Sequence, residues 1–100
     1  GATKTIAVPV EELYAAVTDP RRRDEWLPGV HLNERTATPY RTARYDWGEG
    51  STRVVVGFDA KGDAKCQLAI QHEKLPDQAT ATRMKAYWSE RLEALAETLE

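Results

Sequence analysis

Ala81, Met84, Trp88, Leu92, Leu95 and Leu99 recur every three or four positions through the last quarter of the chain. That spacing draws one continuous apolar stripe down a helix, with arginine, lysine and glutamate around the rest of its circumference. The pattern predicts a single long helix over about 78–99. Asp77 is placed to cap its first turn, and Pro76 lies just outside it. Such a helix has to bury its stripe against another layer, and the remainder of the chain must supply that layer.

The middle of the sequence supplies strands. Residues 30–38 carry few apolar side chains and end at Pro39, a composition that suits a sheet edge. In 40–47, Ala43, Tyr45 and Trp47 share one face. Gly48-Glu49-Gly50 reads as a hairpin turn, and 52–58 then points Val54, Val56 and Phe58 one way. After Lys61-Gly62-Asp63, residues 64–73 align Cys66, Leu68, Ile70 and His72. Short turns between these runs make the sheet an antiparallel meander. Before it come a strand over 3–8, an amphipathic helix over 10–18 that begins after Pro9 and stops at Asp19-Pro20, and a second short helix over 21–27. No repeat, linker or low-complexity run divides the chain. The expectation is one α+β domain spanning residues 1–100.

A chain that is 41% hydrophobic and 30% charged is ordinary for a globular domain and unlike a disordered one. Its net charge of −2 argues against a protein built on nucleic-acid phosphates. The one basic run, Arg21-Arg22-Arg23, is followed at once by Asp24 and Glu25 and reads as a solvated turn. No apolar run approaches the roughly 18 residues of a membrane span. The lone Cys66 cannot form an internal disulfide, and no secretory signal is visible, so a reduced cytoplasmic setting is expected. No Cys/His spacing points to a metal, and no cofactor is expected.

Several segments together resemble a known family. Ile6-Ala7-Val8-Pro9-Val10-Glu11-Glu12-Leu13-Tyr14, Thr18-Asp19-Pro20 and Trp26-Leu27-Pro28 are similar to the N-terminal signature of one branch of the START/SRPBCC helix-grip superfamily. That branch is named after the activator of the heat-shock-protein ATPase. Arg53 to Phe58 and Leu68 to His72 resemble its last two strands, and Tyr87-Trp88 with Leu92 and Leu95 resembles its final helix. The resemblance implies a helix-grip fold: a curved antiparallel sheet of about five strands wrapped around the long C-terminal helix, with a short helix pair after strand 1. It marks this chain as a shortened member that lacks part of the central sheet.

In such a fold Tyr45, Trp47, Phe58, Met84 and Trp88 point into the space between sheet and helix. They either fill that space or line an apolar pocket in which His72 and Tyr45 orient a ligand. The candidate ligand-binding residues are therefore Tyr45, Trp47, His72, Met84 and Trp88. No catalytic residue is expected. His72 is the side chain most readily tuned for proton transfer, yet it also suits the rim of a core. His31 lies in a weak strand, Cys66 alternates with core residues, and Ser51 and Ser89 lack a nucleophile motif. Glu11 and Glu12 sit in a helix's first turn, where carboxylates favour the dipole. The leading expectation is a non-catalytic binding domain for a small apolar or aromatic ligand. The alternative is a co-chaperone-like or other protein-interaction module with no ligand cavity. A monomer or weak dimer is expected, and a cavity of about 300 Å³ or more would favour the ligand.

Overall fold

Asp19 divides the two short helices. It closes α1 (Val10–Thr18) with its backbone and opens α2 (Pro20–Trp26), accepting a hydrogen bond from the Arg21 N–H on its side chain. Arg21-Arg22-Arg23 is thus helical rather than a solvated turn, and Arg22 is held by Glu12 of α1 at 2.7 Å. The computed structural model describes residues 1–100. Strands β1 (Ala2–Ile6), β2 (Leu32–Thr38), β3 (Thr42–Trp47), β4 (Thr52–Ala60) and β5 (Cys66–Glu73) form one sheet, and α3 runs from Gln78 to Leu99.

The sheet order is β1-β5-β4-β3-β2, with every neighbouring pair antiparallel. The weakly apolar β2 is an edge, as its composition predicts. Its pairing with β3 slips between Glu34 and Thr36, so Arg35 sits in a bulge. Strand bounds differ slightly from those read in the sequence, for local reasons. The Val8 N–H turns back to the Ile6 carbonyl and ends β1 early. Tyr40 takes a left-handed φ of 66° in the β2–β3 turn, so β3 starts only at Thr42.

Alternation along the strands puts Ala43, Tyr45, Val54, Val56, Phe58, Cys66, Leu68 and Ile70 on the concave face, all buried. Helix α3 crosses this face over the β1–β5 side and buries Trp88, Leu92, Leu95 and Ala96. Burying a leucine fully stabilises by roughly 1.5–3 kcal/mol, so this half of the helix anchors it. Polar ties fix its far end: Lys4 pairs with Glu93 at 2.8 Å, and the Ala7 N–H donates to Glu100 at 2.8 Å. Helix α2 is tied in by the Trp26 indole, which donates to the Ala16 carbonyl, and by Arg91, which donates to the Trp26 carbonyl. Met84 departs from expectation. It is only half-buried, because it borders the small cavity between the start of α3 and β5.

Candidate functional site

The gap where α3 and the sheet diverge is built by strand register. Pairing sets Trp47 opposite Thr52 and Val54 opposite His72, which gathers Trp47, Thr52 and His72 at one end of the concave face. Helix α3 brings Tyr87 and Trp88 down on them. The rings interlock: Trp47 lies tilted 4.9 Å from His72, and edge to face 5.4 Å from Trp88 and 6.0 Å from Tyr87, centroid to centroid. These are the separations that favour aromatic pairs.

Both ring nitrogens of His72 are occupied. The Trp88 indole N–H, which can only donate, reaches Nδ1 at 3.2 Å. Nδ1 therefore carries no proton, and Nε2 holds it and donates to Thr52 Oγ at 2.8 Å. Burial lowers the pKa of His72 from its ordinary 6.5 and keeps the ring neutral. A histidine so engaged has no lone pair left for a substrate proton or a ligand. Beside it remains a cavity of about 80 Å³, lined by Ile70, His72, Leu75, Ala81, Met84 and Trp88 among others. Drug-sized ligands occupy roughly 300–1,000 Å³.

Of the residues singled out in the sequence, the structure brings Trp47, His72 and Trp88 into one stack and sets Met84 across the small cavity from it. Tyr45 does not join them. It points from the same face but lies beneath α2, with the Arg23 guanidinium 5.2 Å from its ring centroid. Tyr87, Thr52 and Arg23 are contacts that the sequence reading missed. Arg23 had a signal, since it precedes Trp26 and Leu27 by three and four residues and shares their buried face.

Cys66 is a buried thiol that donates to the Val8 carbonyl at 3.2 Å, and burial raises its pKa. It is a packed core residue with no base beside it. No three His, Cys, Asp or Glu side chains are grouped to hold a metal ion, and no helix is long and apolar enough to cross a membrane.

A sheet gripping one long helix, with a helix pair between strands 1 and 2, defines the helix-grip class. The family model described as "Activator of Hsp90 ATPase homolog 1-like protein" matches residues 30–100, and the chain belongs to that family. No curated protein matches the sequence. Among solved structures, CalU16 from Micromonospora echinospora superposes with a TM-score of 0.83 at 19% identity, over 98% of this chain and 71% of that one. The Aha1 dimer from Colwellia psychrerythraea gives 0.82 at 12% identity, over 99% and 93%. DynU16, from the dynemicin biosynthetic locus, gives 0.76 at 20% identity; this chain covers 45% of its length. At these identities the likeness is one of fold.

Proposed function

We propose that this domain acts by binding a protein partner, without an enclosed ligand and without catalysis. The observation that carries this reading is the filled gap: four rings stack where a ligand would enter, and about 80 Å³ is left. The occupied nitrogens of His72 and the buried Cys66 thiol support the absence of a catalytic role. The family description supports a partner of the Hsp90-type ATPase class, and the Colwellia relative is itself a dimer. Strand β2 offers an open edge for pairing. Its Arg35 bulge, and the charges of Glu34 and Arg35, are the devices that keep such an edge from indiscriminate association.

Two measurements test the proposal together. The chain is mixed with a purified Hsp90-type ATPase, and binding and ATP turnover are followed. It is also titrated with lipids and aromatic compounds while its tryptophan fluorescence is read, in a Trp26→Phe background so that Trp47 and Trp88 alone report. The proposal expects complex formation and no saturable ligand below about millimolar, given a gap well under the roughly 300 Å³ of a ligand pocket. No complex, with micromolar saturation by an apolar compound, would overturn it.

A further inference from the structure

Strand β2 ends one side of the sheet, so only alternate residues along it can bond to β3. Two bonds fix which ones. The Phe58 N–H donates to the Arg41 carbonyl at 2.8 Å, and the Gly48 N–H donates to the His31 carbonyl at 2.9 Å. Alternation along β3 then sends Ala43 and Tyr45 to β4, and Thr42, Arg44 and Asp46 to β2, where they meet Thr38, Thr36 and Asn33. The backbone N–H and carbonyl of Leu32 and of Glu34 are left pointing out of the sheet. The opposite edge is less open. Helix α3 packs over β1, and Lys4 on that face is tied to Glu93. Helix α2 packs chiefly on α1 and α3, which leaves the concave side of β2 uncovered where the strand begins.

An open depression of about 400 Å³ lies there, between α2 and the segment entering β2. Val30 and Leu32, both half-buried, give it apolar walls. Glu34 shares the concave face with Leu32, two residues further along the strand. It is exposed and makes no ion pair, and neither does Asp24 at the depression. Arg23, the arginine in the wall, is engaged by the Tyr45 ring and the Val17 carbonyl. We propose that β2 binds an extended segment of a protein partner, added antiparallel along Leu32 and Glu34, in which a basic residue precedes an apolar one by two positions. Residues opposite each other in an antiparallel ladder share a face. The apolar residue therefore lies across from Leu32 and enters the depression, and the basic one lies across from Glu34. The outward N–H and carbonyl groups supply the affinity, and the alternate side chains supply the selectivity. The Arg35 bulge ends the added ladder, which keeps the site short and its register fixed. This inference rests on the reading of the domain as a protein binder and states how the binding is done.

The probe is the capped peptide acetyl-Thr-Arg-Thr-Ile-Thr-amide, titrated into the whole chain and followed by NMR amide exchange. In the free protein the Leu32 and Glu34 N–H groups should exchange fast and that of Asn33, bonded to β3, slowly. Bound peptide should slow the first two. Replacing the peptide's isoleucine by serine should weaken binding about tenfold, and replacing its arginine by glutamate about fivefold. Glu34→Gln should make the arginine and glutamate peptides bind alike. Glu34→Pro removes the charge and an outward N–H, which an edge strand tolerates, so binding should be lost with little change in melting temperature. If that variant does not fold, Glu34→Gln and the exchange pattern decide. No protection of Leu32 and Glu34 at millimolar peptide, or equal affinity of the wild type for both charged peptides, would overturn the site. A failed peptide with an intact Hsp90-type ATPase complex sinks the site and leaves the partner-binding reading standing. Peptide binding without that complex supports the site and refutes that choice of partner.

Discussion

Acid should loosen the end of the domain where α3 begins, and His72 is the reason. In the folded chain its Nδ1 accepts from the Trp88 indole and its Nε2 donates to Thr52. Protonation places a second N–H on Nδ1, facing a group that can itself only donate. The Trp88 bond is lost, at about 0.5–1.5 kcal/mol, and a half-buried donor is left unpaired, so the combined cost is about 1–3 kcal/mol. Burial lowers the folded-state pKa below the ordinary 6.5, and the hydrogen bond to the neutral ring acts in the same direction. A lowered histidine pKa means that the unfolded chain takes up the proton first. The contribution of His72 is therefore complete above pH 6.5 and is lost as pH falls through the folded-state pKa. Urea denaturation at half-unit steps from pH 7.5 to 5.0 reads this directly. The wild type should lose stability over that range, and His72→Gln should flatten the slope. If His72→Gln keeps the wild-type slope, the assignment of the neutral Nε2–H ring fails.

Leu95→Ala, at a fully buried position, should cost about 2–5 kcal/mol in chemical denaturation, whereas Met84→Leu on the half-buried first turns should cost under about 1.5 kcal/mol. Equal losses would show that the two ends of α3 are anchored alike. Asp77→Ala removes the carboxylate that accepts from the Thr80 N–H at 2.8 Å; its melting point should fall at neutral pH. The backbone bond holds the Asp77 pKa below 3.8, so the gap to wild type should close only in strong acid. In light scattering the chain should run as a monomer or weak, concentration-dependent dimer, and a stable tetramer would rule out a guarded β2 edge.

The elements were legible where one physical signal dominated. The stripe from Ala81 to Leu99 and the Asp77 cap give α3 its observed bounds, Gln78–Leu99. Alternation gives the inward faces of β3, β4 and β5, and the polar sequence of β2 gives its place at the edge. What alternation does not carry is which helix covers which part of a face. Tyr45 and Trp47 are two residues apart on one strand, so both face inward. The sheet's curvature nevertheless sends Trp47 to α3 and leaves Tyr45 under α2. Met84 continues the stripe perfectly in sequence and still stands half-exposed, because it borders the small cavity. The small size of the cavity was also hidden, since the same aromatic residues can line a pocket or fill it, and only the ring separations decide.

Strand β1 has a consequence for the order in which the molecule assembles. Its pairing partner is β5, Ala2 lying opposite Ile70 and Ile6 opposite Cys66, while β2 to β5 each pair with a neighbour across a short turn. Closing so long a loop costs entropy before any contact repays it. The meander should therefore form first, with β1 and α3 joining together afterwards, since Lys4 and Glu93 bind them to each other. During synthesis the inward-facing Leu68 and Ile70 of β5 then stay bare until α3, which crosses the β1–β5 side of the sheet, has been made. For that interval the nascent chain presents the kind of apolar surface that aggregates or recruits a holding chaperone.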